Sequence, residues 1–497
     1  MTIGYSIHIF FINFAVGFKH KFDSIRIIKT MKLRRLAAVA LAGYATLPSM
    51  VYAQNMSKDI AGGSQMSIHS DQGKPWSLKD CLDYAMENNI QVKKTKVSAE
   101  QGEVNLQQQK AQLLPSLSFS TNHSMGYRPF QQSTAIVQNG QVTSTSNKTT
   151  YQGSYSVSAN WTVWNGGINR MNIEAQELKN DIANLSIEQT ELSLKEQITQ
   201  LYISALYATD AWKVANQLCE TAKKQYERAQ QMQLQGQMSK ADVAQLEAQY
   251  QSAEYDKVNC MTTIQNTRRQ LKSLLQLDMN SDFWVQDELP SDEAVTGLIP
   301  DKNSVYEKAI ASRPEIKTAQ MNVESAQLQE RIAKAGYLPT ISMNAGVSDS
   351  HYTGSNQGTG EQMKRNLNSN LGLSVSVPIF DQRRNKSAVE NAKLQYTTSQ
   401  LDLADQKNTL SSTIQDYWLN ANNNQQRYLA AKSTLKSQQE SYNLLNEQFN
   451  EGLKNTVDLL QGRDALLNAQ QNLLQSKYNT LLYIQLLKFY SGEEIKL

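Results

Sequence analysis

The chain has 497 residues with 49 Lys/Arg against 46 Asp/Glu, so it has room for two to four ordinary domains and lacks the charge of a nucleic-acid binder. Three cysteines make no disulfide framework and match no zinc spacing, and the five scattered histidines form no metal cage. With 23 Gly and 9 Pro the sequence is neither collagen-like nor proline-rich.

The chain opens with an address. Lys32, Arg34 and Arg35 precede an apolar run from Leu36 to Leu47, and Val51-Tyr52-Ala53 sits before Gln54. This pattern predicts a secretory signal peptide over 31–53. Residues 1–30 then read as a misassigned extension with Met31 as the true start, and 54–75 as a linker. No Cys follows the cleavage point, so no lipid anchor is expected. Residues 1–53 hold seven Lys/Arg and one Asp, which leaves 42 against 45 in the mature chain. Past the signal no stretch reaches the about 18 consecutive apolar residues of a spanning helix, whereas a β-barrel leaves a much weaker trace.

From residue 76 one pattern is written twice. Cys81 to Ser118 aligns without gaps on Val305 to Ser342. Further on, Trp161 meets Val377, Trp164 meets Phe380, Ile198 meets Ile414, Tyr202 meets Trp418, Gly236 meets Gly452 and Asp242 meets Asp458. The first copy is assigned to 76–279 and the second to 304–492. A linker at 280–303 separates them and a tail follows at 493–497. Only the middle of each copy differs in length, which marks a variable loop there.

Each copy begins with helical turns that end at Leu-Pro (Leu114-Pro115, Leu338-Pro339). Strands are predicted over 116–120 and 154–163 in the first copy, and over 340–345 and 370–379 in the second. All alternate apolar and polar, with the apolar residues at odd positions, as a sheet with unlike faces requires. Strands near ten residues with aromatic ends fit a membrane barrel wall, with Trp161, Trp164 and Phe380 at an interface girdle. A soluble β-sandwich is the alternative. The Gly/Ser/Asn-rich stretches near 125–150 and 348–368 read as loops.

Two long helical runs follow. Ile168 to Gly236 and Arg383 to Gly452 hold no Pro and no internal Gly, and each predicts roughly 100 Å of helix at 1.5 Å per residue. Past each Gly the helical pattern returns. Leu459-Leu460, Leu466-Leu467 and Leu473-Leu474 repeat every seven residues, the period of a left-handed coiled coil. Two antiparallel hairpins with tips at Gly236 and Gly452 are expected. Four strands cannot close a barrel, and an open edge cannot face lipid, so further copies must complete the wall.

With these features together, the chain resembles the TolC family of outer-membrane efflux and export ducts over about residues 76–492. The resemblance rests on the duplicated helix–strand–strand–helix–helix order and the two Leu-Pro steps. It rests also on Trp164-Asn165-Gly166-Gly167, on Pro378-Ile379-Phe380-Asp381, and on Gly-x5-Asp at Gly236 to Asp242 and Gly452 to Asp458. It implies an α+β membrane protein: four transmembrane strands per protomer, a 12-stranded barrel as a homotrimer, and an α-helical periplasmic barrel. A periplasmic adaptor and an inner-membrane transporter of RND, ABC or MFS type are the implied partners, with outer-membrane lipid around the wall, no nucleic acid and no cofactor. The family's periplasmic gate maps onto Asp458, Asp242, Lys454 and Phe449. Gln461 stands where a second aperture carboxylate often lies. Asp242 and Asp458 also read simply as helix caps or solvent-side pairs.

No nucleophile elbow, triad or metal cluster is visible, so no enzyme is expected. The favoured reading is an exit duct for small molecules in the outer membrane, opened by its partners. The alternatives are a duct for protein or peptide secretion of type I, and a periplasmic coiled-coil adaptor. A diffusion porin has no use for helices this long. Cys219 and Cys260 flank the first tip, either as a disulfide or as small seam residues. Cys81 reads as buried, and His123 and His351 as solvated residues near strand–loop junctions.

Overall fold

A computed structural model describes residues 75–130, 134–138, 141–145, 148–286, 291–353 and 357–495. The expected signal peptide, the extension before it and most of the 54–75 linker lie outside the described residues. The first half runs α1 (Leu78–Asn88), α2 (Ile90–Ala111), β1 (Ser116–Tyr127), β2 (Thr134–Gln138), β3 (Gln141–Thr145), β4 (Thr149–Trp164), α3 (Ile168–Leu234) and α4 (Lys240–Leu275). After a short α5 (Asp292–Thr296) the order returns. It runs α6 (Lys302–Ser312), α7 (Pro314–Ala335), β5 (Thr340–Tyr352), α8 (Thr359–Asn366), β6 (Asn368–Ser376), α9 (Arg384–Asn450) and α10 (Thr456–Tyr490).

The duplication is visible in the element bounds. Ile90–Ala111 recurs as Pro314–Ala335, 224 positions on, and Ile168–Leu234 recurs as Arg384–Asn450, 216 positions on. The middle loops are less plain than their composition. The first carries the antiparallel β2–β3 hairpin and the second the helix α8. The strands also outrun their predicted ends toward these loops, except that β6 stops at Ser376 and leaves Pro378 and Phe380 beyond it. Proline has no N–H for a ladder, so the strand ends before it.

The two largest core clusters are built on matching positions of the two copies. Cys81, Ala85, Val92, Leu194, Ile198 and Tyr202 pack in one. Their counterparts Val305, Ala309, Ile316, Leu410, Ile414 and Trp418 pack in the other. Burial pushes the Cys81 thiol up to about 12, with a smaller push from Asp80, so it stays protonated and inert. Cys219 and Cys260 are both free thiols, Cys219 packing on Ala222, Tyr250 and Ala253 as a small seam residue. The connection between the halves is tied down. Tyr428 Oη and Lys432 Nζ donate to the Asp292 carboxylate at 2.7 and 2.5 Å, and Gln425 Nε2 donates to the Val295 and Gly297 carbonyls at 2.9 Å.

The turn from strand into long helix needs two successive residues in the left-handed region. The first copy supplies Gly166 (φ +69°) and Gly167 (φ +83°). The second copy holds the same conformation with Gln382 (φ +56°) and Arg383 (φ +69°), against the Cβ penalty that side chains meet there. Asn165 and Asp381, at matching positions, accept from the backbone N–H of Asn169 and Asn385 at 3.2 and 2.8 Å and so secure both turns.

Candidate functional site

The four long strands form one antiparallel sheet in the order β1-β4-β5-β6. The ladder registers Leu117 with Ala159, Ala159 with Ala345, and Ala345 with Leu371. One face is therefore an apolar band, and Leu117, Phe119, Val157, Val347, Leu371 and Leu373 all stand exposed on it. The odd-number rule breaks once, for a reason. Trp161 faces Met343, but Trp164 faces Ile341, because the ladder shifts by one residue between Thr162 and Trp164. This bulge turns Trp164 onto the face of Trp161. The Trp161 indole N–H is anchored on the Leu113 carbonyl at 2.9 Å.

The opposite face is polar and uncharged. Ser118 pairs with Ser158 and Ser120 with Ser156, their hydroxyls 2.9 and 2.7 Å apart. Asn160 stands opposite Asn344, and Asn370 opposite Gly346. A wall with one apolar and one hydrated face suits a membrane barrel with a wet interior. His123 lies within β1, four residues from its end, and His351 is the next-to-last residue of β5, beside the strand–loop junction as expected. They are cross-strand partners of Gly153 from either side, stacked among Tyr151 and Tyr155 on the apolar face, and Tyr151 Oη lies 2.8 Å from His123 Nδ1.

The far ends of the long helices make the second part of the site. At 1.5 Å per residue, 67-residue α3 and α9 each reach roughly 100 Å from the sheet. Both end alike. Gly236 (φ +70°) and Gly452 (φ +77°) take the left-handed position, and the next N–H reaches back over the last turn, Gln237 to Met232 O and Leu453 to Gln448 O, each at 2.9 Å. This closure favours a glycine at that position, although the end of α4 makes it with Gln276 (φ +61°), Leu277 N–H reaching Lys272 O at 2.9 Å. Ser239 and Asn455 then cap the returning helices by accepting from the N–H of Asp242 (3.1 Å) and Asp458 (2.8 Å). The Gly-x5-Asp spacing is thus glycine stop, cap and first-turn carboxylate, where negative charge meets the helix dipole.

The two Asp residues differ in their partners. Asp242 accepts from Ser239 Oγ at 2.6 Å and from Thr456 Oγ1 at 3.1 Å, so it joins the first tip to the second. Asp458 lies 3.5 Å from Lys454 Nζ within its own tip. Gln461 is exposed one turn further along α10. Phe449 packs between the tips, beside Ala229, Val243, Leu246 and Leu460 on one side and Tyr442, Leu459 and Leu466 on the other. Further cross-tip bonds escaped sequence reading. Arg228 donates to Asn450 Oδ1 at 2.6 Å, and Gln225 donates to Tyr442 Oη and Asn446 Oδ1, both at 3.1 Å. Arg463 is buried beside the Gln249 side-chain amide and donates to Asp464 Oδ1 at 2.8 Å. An arginine inside a leucine seam was the readable signal of such a contact.

Residues 81–276 and 305–493 match the family model described as outer membrane efflux protein. The chain is 23% identical over 429 residues to the outer membrane protein TolC of Escherichia coli strain K12, covering 84% of this chain and 83% of that protein. It is 22% identical to the alkaline protease secretion protein AprF of Pseudomonas aeruginosa, over 60% of each chain. The fold of the outer membrane protein VceC of Vibrio cholerae superposes with a TM-score of 0.66 at 17% identity, covering 84% of this chain and 97% of that one. The chain belongs to the outer membrane efflux protein family. It is a TolC-type channel protein of the outer membrane and not an enzyme, and its two matched segments are the two halves of the duplication.

Proposed function

We propose that three copies close their four-stranded sheets into one twelve-stranded barrel in the outer membrane. Their hairpins then stand together as a periplasmic tube, the exit duct of a tripartite pump for small molecules. The observation that carries this reading is the sheet itself. One face is apolar except toward the loop end, where His123, His351 and Asp349 stand on it, the other is neutral and polar, and both edges stay open among the described residues unless another copy joins them. The hairpins of roughly 100 Å give the duct its reach into the periplasm. A periplasmic adaptor meets the tips around Gly236 and Gly452, and an inner-membrane transporter of RND, ABC or MFS type drives the cargo. Trp161, Trp164 and Phe380 mark the membrane interface.

The tips are the gate. The Asp242–Thr456 and Arg228–Asn450 bonds hold each second hairpin against the first and keep the tube narrow. Around a threefold axis three Asp458 carboxylates repel one another and attract cations, and each Lys454 partly offsets its neighbour. Gln461 contributes no second acidic ring, while Phe449 supplies the packing that opening must slide. The test is single-channel recording of the purified protein in planar bilayers. A small, cation-preferring conductance that loses its divalent-cation block in Asp458→Ala supports the gate. Unchanged conductance and block remove Asp458 from it.

The resemblance to AprF, named for alkaline protease secretion, favours a second reading in which the cargo is a protein or peptide. Co-purification separates the two. An RND-type transporter bound through its adaptor supports small-molecule efflux, and an ABC-type secretion transporter supports export of protein.

A further inference from the structure

We propose that the loop end of the sheet binds one divalent transition-metal ion, Cu2+ or Zn2+, with His123 and His351 as nitrogen ligands and Tyr151 as the oxygen ligand. The site lies within a single chain, so it does not depend on how many copies assemble.

Three strands build it. Gly153 of β4 is the ladder partner of His123 on β1 and of His351 on β5, so the two histidines flank one glycine on the same face. A side chain between them would hold the rings apart. Glycine leaves a gap instead, and both imidazoles lean into it. A Cβ built on Gly153 would collide with His351 Cε1 and stand 3.0 Å from both His351 Nε2 and His123 Nδ1. The two nitrogens therefore border one space, no more than twice that distance apart. Tyr151, two residues along β4 on the same face, closes another side, its Oη 2.8 Å from His123 Nδ1. Two donors at that separation subtend nearly a right angle at an ion bonded about 2.0–2.1 Å from each. A rotation of the His351 side chain brings Nε2 onto the same ion. Tyr155, stacked on His351 with ring centroids 6.0 Å apart, walls the space on the side away from the loops.

The surroundings prepare both imidazoles. His123 Nε2 lies 2.9 Å from Thr121 Oγ1, which engages that nitrogen and leaves Nδ1 to face Tyr151 or an ion. Metal-binding imidazoles are held through their second nitrogen in this way. His351 Nδ1 is buried without a hydrogen-bond partner, and so is Oδ1 of Asp349, two residues earlier on the same face. An unpaired buried polar atom costs about 1–3 kcal/mol. Metal binding answers both orphans. With Nε2 on the ion, the Nδ1–H turns to the Asp349 carboxylate, which also offsets the ion's charge and makes Asp349 a positioning residue. No three of His, Cys, Asp or Glu gather around one point among the described residues, so the third ligand has to be the phenol. Its proton passes to solvent as the oxygen joins the ion. Imidazole nitrogens select Cu2+ or Zn2+ over the harder Mg2+ and Ca2+. His123 is exposed and His351 half-buried, so an ion enters from the β1 side. Once bound, it ties the edge strand β1 to β5 across β4.

The test titrates the purified, untagged protein in detergent with Cu2+ and separately with Zn2+ by calorimetry, and reads the Cu2+ form by electron paramagnetic resonance and visible absorption. The parent is expected to bind one ion per chain, with hyperfine structure from two imidazole nitrogens and a phenolate-to-copper charge-transfer band. His351→Gln removes a ligand that makes no hydrogen bond among the described residues. Gly153→Ala keeps every ligand and fills the gap between them. Each should lose the two-nitrogen pattern and weaken binding by more than the roughly tenfold that loss of an outer-shell partner costs. Tyr151→Phe should keep both nitrogens and lose the band. Asp349→Asn should keep both signatures and bind about tenfold more weakly. Helical circular dichroism confirms that each variant is folded, and if Gly153→Ala is not, His351→Gln decides alone. A parent that binds neither ion overturns the site. So does binding that His351→Gln leaves as tight as in the parent, since the ion then sits on thiols or elsewhere.

Discussion

The paired turns from strand to helix separate two costs that are usually confounded. Gly166 and Gly167 share the left-handed conformation, at φ +69° and +83°. A Cβ on Gly167 meets nothing within 4 Å, whereas one on Gly166 falls 2.9 Å from the Ala335 carbonyl oxygen and 3.0 Å from Leu338 Cβ. Gly167→Ala carries the dihedral penalty alone, about 1–2 kcal/mol, reduced by about 0.5 kcal/mol because alanine loses less freedom on folding. Gly166→Ala carries the same penalty and adds about 1–3 kcal/mol of overpacking against backbone and Cβ atoms that cannot swing aside. The second copy already accommodates the first kind of cost, with Gln382 and Arg383 in the same conformation. The assay is thermal loss of the α-helical circular dichroism signal in detergent, read as an order of apparent midpoints at one scan rate, since unfolding of such an assembly is irreversible. Gly167→Ala is expected close to the parent and Gly166→Ala clearly below it. Equal midpoints for the two variants would refute the claim that packing on α7 and the Leu-Pro step makes Gly166 irreplaceable.

The same logic predicts that Gln382→Gly raises the midpoint slightly, by relieving a left-handed side chain, in the same melt. Tyr478→Phe removes a 2.6 Å bond to buried Asp210 across the two halves and is expected to cost about 2 kcal/mol, seen as a lower midpoint. Burial first, then the charge of Glu196, pushes Tyr490 up to about 12, and burial with the Glu196 hydrogen bond pushes Tyr417 up as well. Both phenols hold their protons more tightly folded than unfolded. Their contribution is therefore complete below pH about 10 and lost as pH rises, that of Tyr490 toward 12 and that of Tyr417 later still. Absorbance at the tyrosinate band during an alkaline titration should show these two ionising late, and loss of helix should move to higher pH in Tyr417→Phe. Thr456→Val breaks the bond to Asp242 and is expected to lengthen open bursts in bilayer recordings, and unchanged bursts would dismiss that bond as a latch.

Much of this architecture could be read from the sequence because periodicity reports it directly. The 67-residue helices, their glycine stops and the alternation of the strands are local patterns, and the two offsets tie them into a duplicate. What stayed hidden arises where the pattern is broken by something far away. The shift that turns Trp164 depends on its partner Ile341, and no property of residues 162–164 announces it. Asp242 reads as a cap, and it is one, yet its second bond goes to Thr456 on the other hairpin. The β2–β3 hairpin and α8 occupy segments whose composition signals only turns. Arg228–Asn450 and Tyr478–Asp210 join residues more than 200 positions apart, and a single sequence carries no record of such meetings.

The polar face of the sheet has a bearing on what can leave by it. From Ser116, Ser118, Ser120 and Asn122 across to Ser154, Ser156, Ser158 and Asn160, then Ser342, Asn344, Ser348, Asn370 and Ser374, it offers small hydroxyls and amides and no fixed charge. Such a lining exchanges hydrogen bonds with water as readily as with a solute and greets anions and cations on equal terms. In the proposed barrel the lining that the described strands supply is therefore an indifferent passage. In the proposed duct selectivity then belongs to the helix tips, and a mutation that changes the range of cargo should be sought roughly 100 Å away from the sheet rather than within it.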